Sequence, residues 1–176
     1  KMSNWNKIAK PIVVLCVMCI VVTGALAVTN NATAPIIAEA TRVAQEQARK
    51  ELLPDADNFT KVEGVTVENV SDVYVADNGV GTVITCSAKG YGGTITVMVA
   101  FSPDDTVDRI KITEQSETAG LGSKISTDLD FQNSFSGLPA ENFTVSDINA
   151  ISGATISSKA VTAAVNAAID AYNQIP

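Results

Sequence analysis

The chain has 176 residues with 12 basic and 19 acidic side chains, a formal net charge of -7, no histidine and three cysteines. The missing histidine excludes Ser-His-Asp and Cys-His catalysis and histidine-ligated metals, and three cysteines cannot form a four-thiolate zinc site, so the sequence predicts no metal site. The acidic balance argues against a nucleic-acid partner, which requires a basic protein surface.

The first predicted element is a membrane anchor. Lysines at positions 1, 7 and 10 precede an uncharged stretch at 11–38. Its apolar core, residues 11–29, is long enough to cross a bilayer as a helix. The N-terminal tip carries +3, and the other 9 basic and 19 acidic residues give a net charge of -10. By the positive-inside rule, the three lysines predict a cytoplasmic tip at residues 1–10, and the acidic remainder then lies outside.

A cleaved signal peptide is the alternative to a retained anchor, because Ala25-Leu26-Ala27 resembles a small-residue cleavage site. The apolar run exceeds the usual signal-peptide core of about 7–15 residues, which favours the retained anchor.

The three cysteines have different surroundings. Cys16 and Cys19 form a C-x-x-C inside the apolar run, and we interpret them as small apolar thiols that face lipid or another helix. Contact with a partner's metal cluster is the alternative, although this pair supplies only two thiolates. Cys86 lies in a predicted strand, where we expect it to be buried.

Beyond the anchor, apolar residues recur at helical spacing over 33–53. This predicts a helical connector, residues 30–58, whose helix is broken by Pro54 and which either extends the anchor or docks on the domain that follows. That domain is assigned to residues 59–176. Its Val-, Thr- and Ile-rich segments predict strands at 61–76 (interrupted), 81–88, 94–101, 106–113 and 145–151.

The remaining segments complete an α+β fold. Residues 90–93 and 102–105 are typical of hairpin connections. A glycine-rich loop at 119–123 precedes a predicted short helix at 124–135. A C-terminal helix has an apolar face formed by Val161, Val165, Ala168, Ile169 and Tyr172. The predicted fold class is therefore α+β: a single N-terminal transmembrane helix, then a domain with an antiparallel sheet and packed helices.

The first motif that suggests chemistry lies where the C-terminal helix begins. It consists of Ser152, Gly153, Ala154 and Thr155. Glycine permits a tight turn, the helix N-terminus suits a phosphate, and threonine adds a hydroxyl. The alternative is an ordinary helix start with Ser152, Thr155 or Ser157 as the N-cap.

The second motif follows a predicted strand and consists of Glu117, Thr118, Ala119, Gly120, Leu121 and Gly122. Two glycines around a leucine allow the backbone to lie against a flat ligand, with Thr118 and Glu117 offering hydrogen bonds. The glycine spacing matches neither a P-loop nor a dinucleotide-binding fingerprint. Taken by itself, the segment is also compatible with an ordinary glycine-rich loop.

Together the two motifs resemble the FMN-binding domain family. Residues 152–155 resemble its S/T-G-A-T flavin-attachment motif, residues 117–122 its E-T-P-G-L-G loop, and 90–93 its hairpin. Within the family, the chain is most similar to the membrane-anchored G subunits of Rnf-type ion-translocating ferredoxin:NAD oxidoreductases. The C subunits of sodium-translocating NADH:quinone reductases rank second. Two positions depart from the family pattern: Ala119 replaces a proline, and Asn149 stands where aspartate is common.

The resemblance implies a role for each motif residue. Thr155 would carry FMN through a phosphate ester made by a separate flavin transferase, and Ser152, Gly153 and Ala154 would serve recognition and the turn. The residues implied to line the flavin are Glu117, Thr118, Gly120, Leu121 and Gly122. No catalytic residue is implied. The chain would be an electron-transfer protein that works with other membrane subunits of an oxidoreductase (a translocase) and does not catalyse alone.

Two other functions remain open at this point. One is a membrane-tethered binding or adaptor domain without flavin. The other is a hydroxyl-nucleophile enzyme using Thr155 and Lys159, which share a helix face. The enzyme is disfavoured because a lysine of ordinary pKa, about 10.4, is a poor base.

Overall fold

A computed structural model describes residues 9–175. The chain divides into two compact units, Lys1–Ala44 and Gln45–Pro176. Most of the predicted basic tip at 1–10 lies outside the described residues.

The first long element is helix α1, Lys10–Leu52, which has 43 residues and includes Pro35. The predicted anchor and the predicted helix after it therefore form one helix, which ends two residues before Pro54. Within the described part of the chain, α1 is the one helix long and apolar enough to cross a membrane. Its large apolar side chains in the first unit are exposed, as are Cys16 and Cys19.

The second unit contains a five-stranded sheet in which the strands lie in chain order and every neighbouring pair is antiparallel. The strands are β1 (Phe59–Lys61), β2 (Val70–Ala76), β3 (Thr82–Lys89), β4 (Thr94–Ser102) and β5 (Thr106–Glu114). The four predicted strands up to residue 113 are confirmed, with the interruption in the first one separating β1 from β2. The two predicted hairpin connections are confirmed as well.

The predicted strand at 145–151 is wrong. Val145–Asp147 form a 3-10 turn, closed by a capping box in which the Thr144 N–H donates to Asp147 Oδ2 at 2.8 Å. This backbone hydrogen bond, reinforced by the Thr144 hydroxyl, holds the pKa of Asp147 below its usual range. Ile148 and Ile151 are buried. The apolar pattern therefore comes from two side chains that a loop buries in the core, and not from a strand.

The predicted helix at 124–135 is two shorter pieces. They are a 3-10 helix at Gly122–Ser126 and helix α2 at Leu129–Asn133. Asp128 separates them, because its side chain accepts a hydrogen bond from the Phe131 N–H at 3.0 Å and so starts a new helix. Phe131 packs edge-on against Phe135 at 5.3 Å, and both rings are buried.

Helix α3, Thr155–Tyr172, packs on one face of the sheet. The predicted apolar face is confirmed, with Val161, Val165, Ala168 and Ile169 at 1% exposure or less. Tyr172 at its end is half-buried and stacks on Phe101 of β4, with 4.5 Å between ring centroids. The predicted α+β fold class is therefore confirmed.

The opposite face of the sheet has its own smaller core within the second unit. The end of α1 supplies Ala48 and Leu52, which join Val83, Met98 and Ala100 of the central strands. Arg49 of the same turn is 7% exposed and lies 4.1 Å from the centroid of the Tyr74 ring, a cation–π contact. The sheet is thus covered by buried side chains on both faces.

Cys86 lies in the main core, as expected from its strand position. It is fully buried and its thiol donates to the Val97 carbonyl at 3.3 Å. Burial raises the pKa of the Cys86 thiol far above its usual range. The thiol is therefore protonated and inaccessible.

The central strand β3 provides a test of this core. Ile84 is fully buried, so Ile84→Ala should lower the free energy of unfolding of the domain by about 2–5 kcal/mol through lost burial and a residual cavity. Urea unfolding of the full chain in detergent micelles, followed by circular dichroism, measures the change. Thr66→Ala, at an exposed position, is the control, and equal effects of the two substitutions would contradict the assigned core.

Candidate functional site

A cavity of about 470 Å³ lies at the N-terminal end of α3. It lies between the β3–β4 hairpin, the loop after β5 and the first turn of α3. Its volume falls in the range of about 300–1,000 Å³ that small-molecule and cofactor sites occupy. The lining residues are Tyr91, Glu117, Thr118, Leu121, Gly122, Gly153, Ala154, Thr155, Ile156 and Ser157. The fold therefore brings the two sequence motifs together, although Ser152 and Gly120 lie outside this lining.

The first turn of α3 has no side-chain cap. Ala154 occupies the N-cap position, so the interpretation of Ser152, Thr155 or Ser157 as the N-cap is wrong. Thr155 is the first helical residue, and its side chain is exposed at the cavity. The first-turn N–H groups have no intrahelical partner, and the turn contains no acidic residue. This end of the helix therefore presents a positive partial charge and a hydroxyl that no residue in the described range 9–175 engages.

Gly153 makes the sharp turn that leads into α3. Its φ of +81° lies in the left-handed region that favours glycine. A Cβ added there would lie 3.2 Å from Leu121 Cδ1, in the opposite wall of the cavity. The glycine in the first motif thus serves both the turn and the close approach of the second motif.

Glu117 joins the three segments that form the cavity. Its Oε1 accepts a hydrogen bond from the Gly92 N–H of the hairpin at 2.9 Å, and its Oε2 accepts one from the Ser157 hydroxyl of α3. Ser157 is 2% exposed. Because both carboxylate oxygens are engaged by the protein, Glu117 holds the cavity walls together.

Gly122 of the second motif makes room for the Glu117 carboxylate. A Cβ added to Gly122 would lie 2.6 Å from Glu117 Oε2 and 2.8 Å from Ser157 Oγ. Gly90 in the hairpin faces the other side, since its added Cβ would lie 2.4 Å from Glu117 Oε1. The sequence interpretation attributed Gly120 and Gly122 to a flat ligand. Here Gly122 accommodates the partly buried Glu117–Ser157 pair, whereas a Cβ added to Gly120 would meet nothing within 4 Å.

Sequence reasoning missed the apolar rim of the cavity. Tyr91 is 73% exposed and Ile156 is 55% exposed, and Leu121, which was predicted, is 45% exposed. Large apolar side chains at the mouth of a cavity suit a flat, largely apolar ligand. Tyr91 could have been predicted as a rim residue because it is an aromatic residue between the glycines of a hairpin tip. Ile156 could not, because only its place in the helix distinguishes it in the sequence.

Comparisons with known proteins identify the families that share these segments. A sequence model of the FMN-binding domain matches residues 90–170, and one of the RnfG N-terminal region matches residues 2–52. The chain is 34% identical over 166 residues to the G subunit of the proton-translocating ferredoxin:NAD(+) oxidoreductase complex of Clostridium ljungdahlii, covering 89% of this chain and 86% of that protein.

Two further relatives are also G subunits of ion-translocating oxidoreductase complexes. The G subunit of the Na(+)-translocating ferredoxin:NAD(+) oxidoreductase complex of Acetobacterium woodii is 34% identical over 198 residues, covering 98% of this chain and 95% of that protein. The G subunit of the ion-translocating oxidoreductase complex of Methanosarcina acetivorans is 34% identical over 182 residues, with 96% of each chain covered. The chain belongs to the G-subunit family of these complexes.

Membership of the G-subunit family decides between the earlier alternatives. The resemblance to the FMN-binding domain family and to the G subunits is confirmed. The alternative of an adaptor domain without flavin is therefore no longer supported. The matched N-terminal region contains the apolar stretch of α1, and this protein is anchored in the membrane through it.

The residues of the cavity fit FMN as a ligand. Uncapped N–H groups at the start of α3 suit a phosphate, and the rim of Tyr91, Leu121 and Ile156 suits the flat ring system. Thr118 adds a hydroxyl to the lining. The volume of about 470 Å³ accommodates a ligand of this size with part of its surface open to solvent.

The bond between Glu117 and Ser157 can be tested by a double-mutant cycle. Glu117→Ala, Ser157→Ala and the double variant should give a coupling energy of about 1–3 kcal/mol, because the bond is charge-assisted and one partner is buried. Unfolding of the full chain in micelles gives the four free energies. Glu68 and Ser136, a matched pair on exposed positions in different loops, should give a coupling near zero. Additive effects for Glu117 and Ser157 would contradict the assigned bond.

Proposed function

We propose that this protein is a membrane-anchored electron-transfer subunit that carries FMN covalently on Thr155. The observation that supports this most is the position of the Thr155 hydroxyl, which is exposed at the first residue of an uncapped helix and at the edge of a cavity lined by the second motif. FMN, when bound, supplies reversible electron uptake and release, which the side chains of this histidine-free chain do not offer.

Different residues of the cavity would contact different parts of FMN. The first-turn N–H groups of α3 would donate hydrogen bonds to the phosphate oxygens, and Ala154 places no competing side chain there. Leu121, Tyr91 and Ile156 exclude water from part of the ring system. Thr118 is available for a polar contact, while Glu117 keeps the walls in register through its bonds to Gly92 and Ser157.

The attachment is a phosphoryl transfer catalysed by a separate flavin transferase. The Thr155 oxygen forms an ester bond to the phosphorus that carries riboflavin in FAD, the phosphoanhydride bond breaks, and AMP leaves. The hydroxyl proton passes to a base of the transferase. Exposure of the Thr155 side chain makes it accessible to such an enzyme. Ser152 and Asn149 are exposed nearby in the sequence and serve recognition.

The partners of this protein are the other membrane subunits of the complex. Its relatives are subunits of proton- and Na(+)-translocating ferredoxin:NAD(+) oxidoreductase complexes. The protein takes electrons from one neighbour and passes them to another, and the coupling to ion movement belongs to the whole assembly. Hydroxyl-nucleophile catalysis is not needed, and Lys159 does not line the cavity.

We further propose that the N-terminus is cytoplasmic and the flavin domain extracytoplasmic. The three lysines before the apolar stretch carry +3, and the residues after it carry a net -10. The rule depends on basic residues close to the span, and the first one after the apolar stretch is Arg42, so the three lysines favour retention of the N-terminal end in the cytoplasm. A covalent link is useful on the outer side of the membrane, where lost FMN could not readily be replaced.

Flavin attachment is tested by in-gel fluorescence. The full chain co-expressed with a flavin transferase should give a band that fluoresces under ultraviolet light after denaturing electrophoresis, and Thr155→Ala should abolish the fluorescence because it removes the acceptor oxygen. Mass spectrometry should find FMN, less one water, on the peptide that contains Thr155. Thr66→Ala, at an exposed threonine outside the cavity, should stay fluorescent. A dark wild-type band under these conditions would count against covalent attachment, and a fluorescent Thr155→Ala band would place it elsewhere.

Orientation is tested by thiol labelling in intact cells. A membrane-impermeant maleimide should label Glu68→Cys, which lies on an exposed loop of the domain, without cell lysis, whereas Ser3→Cys should require lysis. Cys86 contributes no background because it is fully buried and protonated. Cys16 and Cys19 lie inside the apolar stretch that anchors the protein, where the impermeant reagent does not reach them. Labelling of Ser3→Cys alone in intact cells would reverse the proposed orientation.

A further inference from the structure

A second cavity, of about 700 Å³, lies at the other end of α3. It is bounded by the β4–β5 turn, the start of β3, residues 139–141 and the last turn of α3. Because α3 has 18 residues, its two ends are roughly 27 Å apart at about 1.5 Å per residue. The second cavity is therefore distinct from the flavin site.

This second cavity is strongly acidic. Asp104, Asp105 and Glu141 line it, and no lysine or arginine is among the described residues of its lining. The last turn of α3 contains Asp170 and no basic residue, so the negative end of the helix dipole is uncompensated there. The electrostatic field in the cavity therefore favours a cation.

A hydroxyl without a protein partner points independently to a ligand. Thr82 is 7% exposed and lines the cavity. Across residues 9–175 its hydroxyl has no hydrogen-bond partner, whereas the Thr106 hydroxyl, which also lines the cavity, is paired with Ser102 Oγ at 2.7 Å. Arg49 Nε is the one fully buried side-chain N or O atom without a partner in the described part of the chain, so the Thr82 hydroxyl is open to the cavity and to water there. A ligand with a hydrogen-bond donor in the cavity would bond to this hydroxyl in place of water.

The carboxylate of Asp105 is held in position. It accepts a hydrogen bond from the Tyr172 hydroxyl at 2.9 Å, and the Tyr172 ring is stacked on Phe101. Burial, and secondly the neighbouring Asp105, raise the pKa of Tyr172 to about 12. The hydroxyl therefore remains a donor at physiological pH, and the second oxygen of Asp105 is available to a cationic ligand.

The shape of the cavity distinguishes between possible cations. Within the described residues, no group of three or more acidic, histidine or cysteine side chains is close enough to hold a metal ion, and about 700 Å³ is much larger than an ion requires. A guanidinium group fits better, because it is planar, permanently charged and has five N–H donors for several acceptors. Its aliphatic stem would lie against Val75, Pro139 and Ile175.

We propose that the cavity at the C-terminal end of α3 is the docking site for an arginine side chain of a partner protein, held by Asp104, Asp105, Glu141 and the Thr82 hydroxyl. Arginine is enriched at the buried anchors of protein interfaces, where it fills pockets in this manner. The partner docks at the end of α3 away from Thr155, so the flavin end stays accessible to a different protein. The site does not depend on flavin attachment, and its test requires no flavin.

Binding is tested on the full chain in nanodiscs with two matched peptides. The probes are acetyl-Gly-Arg-Gly-amide and the same peptide with citrulline, which keeps the shape of arginine and removes its charge. Saturable NMR shifts of the Val75 and Ile175 methyl groups with the arginine peptide, and none with the citrulline peptide, are expected. Equal shifts with both peptides, shifts at other residues only, or a response to calcium chloride but not to the arginine peptide would overturn the proposal.

Substitutions connect that response to the named side chains. Asp104→Asn with Glu141→Gln should weaken binding of the arginine peptide about tenfold, since two charge-assisted contacts are lost. Thr82→Val should weaken it about threefold, because one hydroxyl contact is lost and the shape is kept. The control, Asp57→Asn with Glu68→Gln, makes the same change in net charge at exposed positions outside the cavity. An equal loss in the control would show a nonspecific charge effect and overturn the site.

The partner is identified in the assembled complex. A benzoylphenylalanine photo-crosslinker in place of Glu141, in cells that produce the complete complex, should attach to a peptide of another subunit within a few residues of an arginine. A crosslinked peptide without a nearby arginine, or no crosslink to any other subunit, would overturn the docking proposal even if the small peptide binds.

Discussion

The packing of α3 against the antiparallel sheet is the constraint on which both cavities depend. Its buried face consists largely of small residues, with Ala160, Ala164, Ala168 and Ala171 at 5% exposure or less, so the helix can lie close to the strands. Close packing fixes the direction of the helix, and therefore the positions of its two ends. One end presents free N–H groups and the Thr155 hydroxyl, and the other presents an uncompensated negative dipole above acidic loops.

The sheet and the C-terminal helix could be predicted because their signals are local. Val- and Ile-rich segments between turn residues indicated β3, β4 and β5, and the 3.6-residue spacing from Val161 to Tyr172 indicated α3. The strand predicted at residues 145–151 was wrong because the same apolar pattern is produced by a loop whose Ile148 and Ile151 are buried in the core. Asp128 likewise divided a predicted helix by capping its second half, a hydrogen bond that spacing alone does not show.

The candidate site was partly predictable for a related reason. Each motif was visible as a short string, but only the fold shows that both face one cavity. The role of Glu117 depended on contacts with Gly92 and Ser157, which are 25 and 40 residues away along the chain. No sequence window contains that information. The exposed Tyr91 and Ile156 became notable only once they lay on the same rim.

The uncapped first turn of α3 has a consequence for the order of maturation and folding. Without a side-chain cap, this turn costs less to open than it would with one, since a cap contributes about 0.5–2 kcal/mol. If a flavin transferase modifies Thr155 as proposed, it would reach this residue in an extended conformation before the turn closes. The phosphodiester of the proposed attachment would carry a negative charge at the positive end of the helix and would take the place of the missing cap. Cofactor loading would thereby strengthen the uncapped first turn of α3.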